Sequence, residues 1–158
     1  MALNRERPHL VVLPEDDATR SLATGFVDAT VGQMQVLNPA GGWCHVRDEM
    51  LEVQLTPLRK YGNRHLVLLI DFDDDFTNRM QDFKNAIPVD VANRVYVLGA
   101  LSEAEELKKQ TGIKLGPLGQ ALAKECAGNT TTLWSHPQLQ HNQAEINRLN
   151  QAVKGFLF

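Results

Sequence analysis

Short apolar runs alternate with amphipathic segments along the chain, and this alternation is typical of a parallel α/β fold. The two clearest runs are HLVVL at residues 9–13 and HLVLLI at residues 65–70. Each is short and apolar on both faces, as expected for a strand buried within a sheet. A third strand is predicted at residues 94–98, and weaker signals predict an edge strand at 33–37 and a further strand at 130–134.

Residues at helical spacing fill the gaps between these runs. Leu22, Phe26 and Ala29 lie i, i+4 and i+7 apart and predict a helix over residues 18–30. Other helices are predicted over residues 50–59, from 76 to a stop at Pro88, from a capping box formed by Ser102 and Glu105, from Pro117 to Gly128, and over 146–153. We therefore expect a single α/β domain over residues 1–158, with a Rossmann-like open sheet, mostly parallel, and helices on both faces.

The composition is that of an ordinary globular protein, and it narrows the function. Of 158 residues, 43% are apolar and 22% are charged, and the formal net charge is −3. This balance excludes a protein that holds nucleic acid by bulk positive charge alone. No run approaches the roughly 20 apolar residues of a membrane span, and the first residues do not resemble a signal peptide. Because Cys44 and Cys126 are the only cysteines, we expect a cytoplasmic protein without a disulfide framework.

Acidic residues follow the two clearest strands directly. Glu15 comes after the first strand, and Asp71 and Asp73 come after the second. The carboxyl ends of parallel strands meet at one edge of a sheet, so these carboxylates are expected to converge. Converging carboxylates repel one another, and a hard divalent cation such as Mg²⁺ or Mn²⁺ removes that repulsion. We expect Glu15, Asp71 and Asp73 to bind the metal and to be catalytic. The remaining acids of the two loops are expected to cap helices; they are Asp16, Asp17, Asp74 and Asp75.

The arrangement of an apolar strand ending in Glu, a helix, and a later apolar strand ending in Asp-x-Asp resembles the TOPRIM domain. That domain is shared by topoisomerases, primases and OLD-type or RloB-like nucleases. The matching segments are HLVVLPE at residues 9–15 and LVLLIDFD at residues 66–73. In addition, YVLGALSEAEEL at residues 96–107 is similar to the Glu-x-Glu segment of small standalone TOPRIM-like proteins, which are often found among bacterial defence genes. The resemblance implies Mg²⁺-dependent phosphodiester or phosphoryl chemistry.

The resemblance also implies roles for individual residues. Asp71 and Asp73 would hold Mg²⁺ against a phosphate oxygen, and Glu15 would bind a metal or deprotonate the attacking water. Glu103 or Glu105 would serve a second metal. Nucleic acid is the implied substrate, and among the basic residues Arg20 and Arg79 are best placed to contact phosphate, each a short way into a helix that begins beside an acid cluster.

Two features depart from the family. The family glutamate is usually followed by Gly, whereas Asp16 follows Glu15 here. Topoisomerases also need a nucleophilic tyrosine, and the chain has only Tyr61 and Tyr96, the latter within a predicted strand. Strand passage by this chain alone is therefore not expected, and hydrolysis of nucleic acid by a nuclease-like reaction is the leading expectation.

Alternative functions remain open at this point. A degenerate TOPRIM-like module would keep its acids only as caps and would bind a partner protein, nucleic acid or a second copy of itself. The apolar tail at 156–158 would seal the core or seat a dimer partner. A haloacid-dehalogenase-type phosphatase also uses Asp-x-Asp after a strand, with the first Asp as nucleophile, but that motif normally lies near the start of the chain. The residues Cys44, His45, His136 and His141 fit no standard zinc spacing.

Overall fold

The computed structural model describes residues 2–158 and contains a sheet of four parallel strands. In chain order these are β1 (His9–Pro14), β2 (Met34–Val36), β3 (Arg64–Leu69) and β4 (Val95–Leu98), and their order across the sheet is β2-β1-β3-β4. The predicted α/β class is confirmed. The three clear strands and the short edge strand lie where the apolar runs predicted them.

The helices lie between the strands and after them. They are α1 (Asp17–Asp28), α2 (Trp43–Glu49), α3 (Leu55–Lys60), α4 (Phe76–Ala86), α5 (Ala104–Thr111), α6 (Leu115–Gly128) and α7 (Gln143–Leu157). A π-helical turn at Met50–Gln54 joins α2 to α3, and short 3₁₀ turns occur at Ala92–Arg94 and Gln140–Asn142. The helix predicted over 50–59 is therefore the second half of a longer helical segment.

Helices cover both faces of the sheet. Successive strand residues point to opposite faces, so a strand covered on both sides must be apolar throughout. On one face the buried side chains of Val11, Leu66 and Val97 pack with α2, α3 and α4. On the other face Leu10 and Val67, with their neighbours on β1, β3 and β4, pack against α1 and α7.

The edge of the sheet at β4 is closed by side chains and not by another strand. Asn142 accepts a hydrogen bond from the Gly99 N–H and donates one to the Gly99 carbonyl. One helical turn later, Glu145 Oε2 accepts from the Val97 N–H at 2.9 Å. Arg148 then donates to the Val95 carbonyl at 2.7 Å. Three polar residues at intervals of three thus satisfy the backbone groups that an edge strand would otherwise expose.

Two sequence predictions are wrong. Residues 130–131 are irregular and 132–134 form a turn, not a strand; the Leu133 N–H is bonded to the Glu125 carboxylate. Ser102 and Glu105 do not form a capping box, because α5 begins after Glu103 and shows no cap from its own segment. The Ser102 hydroxyl donates to Asp74 at 2.7 Å instead. In both cases a partner distant in sequence replaces the local interaction that the pattern implied.

The carboxyl-terminal segment packs into the core. Leu157 is fully buried on the α1–α7 face of the sheet, and Phe156 and Phe158 pack beside it. Of the two roles expected for this tail, sealing the core is the one that the structure bears out. None of the helices in residues 2–158 is long and apolar enough to cross a membrane.

Candidate functional site

Glu15 and Asp71 meet at the carboxyl ends of the two central strands. Glu15 follows β1, Asp71 lies two residues beyond the end of β3, and Glu15 Oε2 accepts a hydrogen bond from the Asp71 backbone N–H at 2.6 Å. The strand order reverses between β1 and β3, and the helices that follow them, α1 and α4, leave toward opposite faces. In open α/β sheets the crevice at such a reversal is where ligands bind.

Both carboxyl groups are buried, and burial disfavours their charged forms. Only 9% of Glu15 and 6% of Asp71 is exposed. Burial raises the pKa of Asp71 to about 7, and the negative charges of Asp16 and Glu15 add to this effect. Burial likewise raises the pKa of Glu15, although the Asp71 N–H opposes the shift by stabilising the carboxylate. The two acids therefore share a site in which negative charge is costly.

Each of the two carboxylates keeps one oxygen free of protein partners. Asp71 Oδ1 accepts from the Ala104 N–H at 2.9 Å, so Asp71 caps the first turn of α5. Glu15 uses Oε2 for the Asp71 N–H. Within residues 2–158, Glu15 Oε1 and Asp71 Oδ2 have no hydrogen-bond partner, yet neither is among the fully buried atoms. These two oxygens are open to a ligand from solvent.

A cation and an aromatic ring lie beside the acid pair. Arg79 Nη1 donates to the Asp71 carbonyl at 2.9 Å and to Asp73 Oδ2 at 3.1 Å. The Arg79 guanidinium lies over the ring of Trp43, 4.2 Å from the ring centroid, and its side chain is 12% exposed. The bonded and stacked guanidinium is held in place. Its positive charge favours the ionised form of Glu15 and so offsets a small part of the rise in pKa that burial causes.

The loop between β2 and α2 covers the backbone of Glu15. The N–H groups of Gly41 and Gly42 both donate to the Glu15 carbonyl, at 2.8 and 3.2 Å. Both glycines have φ values in the region that other residues rarely adopt, +97° and +136°. This conformation leads the chain into α2 with Trp43 as its first residue. The loop thus places Trp43 beside Arg79.

Asp73 lies in the same cluster but is oriented differently. Asp73 and Asp74 have φ values of +50° and +60°, and their N–H groups bond to the carbonyls of Ser102 and Leu101. The Asp73 side chain is 54% exposed and pairs with Arg79. Its charge raises the pKa of Asp71 and Glu15 and so reaches both acids. Three of the predicted acids are therefore neighbours, two of them buried and one at the rim.

The other predicted residues are distributed around this cluster or away from it. Asp16 caps α1 through a reciprocal pair of bonds with Thr19, as expected for a cap. Glu103 is exposed and lines a shallow surface depression with Asp73 and Asp74. Glu105 is exposed and lies 3.8 Å from Lys108. Arg20 is exposed on α1 in a separate depression beside α6.

Two contributors to the site were not found from the sequence. The Ala104 N–H holds Asp71, and Trp43 holds Arg79, but neither residue carries a motif. A usable signal for Trp43 is its place directly after the Gly41-Gly42 loop, since that loop follows the carboxyl end of β2. For Ala104 the signal is its position in the loop region after β4, the neighbour of β3 in the sheet.

Within the part of the chain that the structure describes, no three His, Cys, Asp or Glu side chains are arranged to hold a metal ion. The ligand-ready part of the site is thus the pair formed by Glu15 and Asp71. Comparison of the chain with protein-family models, with curated proteins and with solved structures found no match.

Proposed function

We propose that this protein performs Mg²⁺- or Mn²⁺-dependent phosphodiester chemistry of the TOPRIM type, with nucleic acid as the substrate that is hydrolysed. The observation that carries the proposal is the contact between Glu15 and Asp71. Two buried carboxyl groups with raised pKa values lie at the reversal of strand order, and each directs one unpartnered oxygen away from its protein hydrogen bond. Each acid bonds one backbone N–H with a single oxygen, and the second oxygen of each remains available to a ligand.

The donor set suits a hard divalent cation. Mg²⁺ is typically held by one or two carboxylates, with water and substrate phosphate completing its coordination. Glu15 Oε1 and Asp71 Oδ2 provide that number of protein ligands, and Asp73 at the rim would bind through water. When bound, the ion would neutralise charge on the phosphate and the entering oxygen.

The residues of the chain have separate tasks in this reaction. Asp71 would hold the ion, and Glu15, whose pKa burial raises, would either bind the ion or accept the proton of the attacking water at Oε1. Arg79 uses only Nη1 for protein hydrogen bonds in residues 2–158, so Nε and Nη2 are available to phosphate oxygens. Trp43 keeps the guanidinium in position by stacking. The exposed Glu103 and Glu105 are not needed for these steps.

The first experiment is calorimetric titration of Mg²⁺ and of Mn²⁺ into the wild type, Glu15→Gln and Asp71→Asn. Asp28→Asn is the matched control, because Asp28 is an exposed acid at the far end of α1, about 18 Å along the helix from Asp16. We expect binding by the wild type and the control, and loss of binding by the other two variants. Cleavage of labelled DNA and RNA oligonucleotides should follow the same pattern.

A second candidate function is a binding module without catalysis. It is favoured by the finding that every acid of the cluster already has a protein partner: Asp71 caps α5 and Asp73 pairs with Arg79. If the folded wild type neither binds the ions in the presence of an oligonucleotide nor cleaves it, the catalytic proposal fails and this module is the better account.

A further inference from the structure

Tyr61 lies among positive charges at the edge of the sheet opposite to the acid pair. Tyr61 immediately precedes the turn into β3. Its ring centroid is 5.3 Å from Lys60 Nζ, 5.3 Å from the guanidinium carbon of Arg64 and 6.0 Å from that of Arg5. The His9 ring meets the Tyr61 ring edge-on. We call Arg5, Lys60, Tyr61 and Arg64 the amino-edge cluster.

In the part of the chain that the structure describes, the cations of the amino-edge cluster have no carboxylate partner. Within residues 2–158, no Asp or Glu oxygen lies within 4 Å of Arg5, Lys60 or Arg64. By contrast, Arg59, one residue before the cluster, forms a bidentate pair with Asp90. No carboxylate of residues 2–158 therefore neutralises the positive charge of the cluster.

The charge on Arg64 is the least compensated. Arg64 is only 6% exposed, and its Nε donates to His9 Nε2 at 3.0 Å. Nε2 must be unprotonated to accept this bond, so His9 is neutral and its Nδ1–H donates to the Arg7 carbonyl. A nearly buried guanidinium that is bonded to a neutral ring lacks the counter-charge that buried cations normally have.

The cations also act on one another. Burial and the charge of Arg5 both lower the pKa of Arg64. Burial, Arg64 and Arg5 lower the pKa of His9. Arg5, followed by Lys60, lowers the pKa of the Tyr61 hydroxyl. Like charges held together without a partner raise the energy of the unliganded protein, and an anion bound among them would remove that cost.

We propose that the amino-edge cluster binds the phosphate of a nucleotide, with the ring of Tyr61 stacked on the adjacent base. Arg5 and Lys60 are exposed and can reach the phosphate. The nearly buried Arg64 adds a positive charge whose guanidinium carbon lies 5.3 Å from the centre of the Tyr61 ring. Cations interleaved with an aromatic ring are the usual means of holding single-stranded nucleic acid. The nucleotide belongs either to a strand or to a free mononucleotide. The cluster lies about 20 Å from the acid pair along the six-residue strands, so it does not depend on the proposed catalytic site.

The test measures the anisotropy of a fluorescein-labelled twelve-residue oligothymidylate in low salt with EDTA. The variants are Arg5→Ala/Lys60→Ala and Tyr61→Ala, and the matched control is Lys108→Ala/Lys109→Ala, which removes two exposed charges from α5. Thermal melting verifies that each variant is folded. We expect the first variant to weaken binding at least about tenfold and to reduce the slope of log Kd against log salt by about 1.4, since each phosphate contact on a single strand contributes about 0.7.

The other variants and the competitors distinguish the two ligand sources and can overturn the proposal. Tyr61→Ala should weaken oligonucleotide binding while leaving competition by inorganic phosphate unchanged, because only the base stacks. If adenosine monophosphate competes as well as the unlabelled oligomer, the ligand is a free nucleotide; if the oligomer competes far better, it is a strand. Absence of binding by the folded wild type, or equal loss in the α5 control, overturns the proposal. Because the assay contains EDTA and measures binding without cleavage, its result is independent of the metal site and is separate from any failure of the catalytic proposal.

Discussion

The Asp71 carboxylate links the end of β3 to the beginning of α5, because its Oδ1 accepts the Ala104 N–H at 2.9 Å. Asn at this position keeps an acceptor oxygen, whereas Ala leaves the N–H of the helix terminus unpaired. We expect Asp71→Ala to have a free energy of unfolding about 1 kcal/mol lower than Asp71→Asn. Denaturant titration of the two variants measures the difference, and equal stabilities would show that the cap is not used.

The raised pKa of Asp71 also makes the free energy of unfolding depend on pH. Its pKa rises from 3.8 in the unfolded chain to about 7 in the folded protein, so between these values the folded state holds a proton that the unfolded state has lost. Its contribution to the free energy of unfolding therefore decreases as pH rises from about 4 to 7 and is constant above 7. Subtracting the pH profile of Asp71→Asn from that of the wild type isolates this slope. A flat difference would contradict the shift.

Replacing Arg79 by lysine tests whether the guanidinium stacked on Trp43 contacts the substrate phosphate. Lysine keeps the charge but cannot stack on Trp43 or present two parallel N–H groups to phosphate. We expect Arg79→Lys to lower kcat/KM for oligonucleotide cleavage by about tenfold or more. The measurement is initial rates in Mn²⁺, with Arg20→Lys, an exposed arginine on α1, as the control. An unchanged rate would remove Arg79 from the proposed reaction.

The contribution of Glu145 to the free energy of unfolding is expected to change with pH in the opposite direction to that of Asp71. Burial alone would raise the pKa of Glu145, but bonds from Val97, Arg148 and Lys84 outweigh it and hold the pKa below its usual value. Its stabilising contribution is therefore present above pH 4.5 and is lost as pH falls through the lower folded pKa. We expect Glu145→Gln to cost about 1–3 kcal/mol at pH 7, with the gap from the wild type narrowing below pH 4. Urea titrations at several pH values measure it.

Gly119 tests the packing of α6 against α1. A Cβ at this position would overlap the Leu22 carbonyl oxygen, whereas a Cβ on Gly128, in the last turn of the same helix, meets no neighbour within 4 Å. We expect Gly119→Ala to lower the free energy of unfolding by about 1–3 kcal/mol. Gly128→Ala should leave it nearly unchanged. Equal effects would mean that the two helices separate easily.

The sequence predicts the strands well because each central strand carries its own signal. After His9 and His65, the runs at 10–13 and 66–70 are apolar at every position, and only a strand covered on both faces requires this. The threonines at 130–132 have the same local preference for strands, but within residues 2–158 no strand pairs with them, and they lie exposed in an irregular segment that leads into a turn. A local preference for strand conformation does not produce a strand where no neighbouring strand is available to pair with it.

The candidate site was predictable only in part, for a similar reason. Glu15 and Asp71 could be placed together because parallel strand ends converge. The contacts of Arg79 with Trp43 and of Asp71 with Ala104 join segments 36 and 33 residues apart. No local spacing reports such contacts. In the amino-edge cluster, Lys60 and Arg64 are near neighbours in the sequence at the start of β3, but the approach of Arg5, which precedes β1, has no sequence signal.

Three side chains, two at the start of α7 and one just before it, take the place of a fifth strand beside β4. Asn142, Glu145 and Arg148 bond to the backbone groups that a fifth strand would use, so a further strand cannot add beside β4. A chain that ends before Asn142 would bare a row of unmatched amides and carbonyls. We expect such a truncated chain to associate with other copies of itself through the exposed edge of β4, so that loss of the last helix would be observed as self-association.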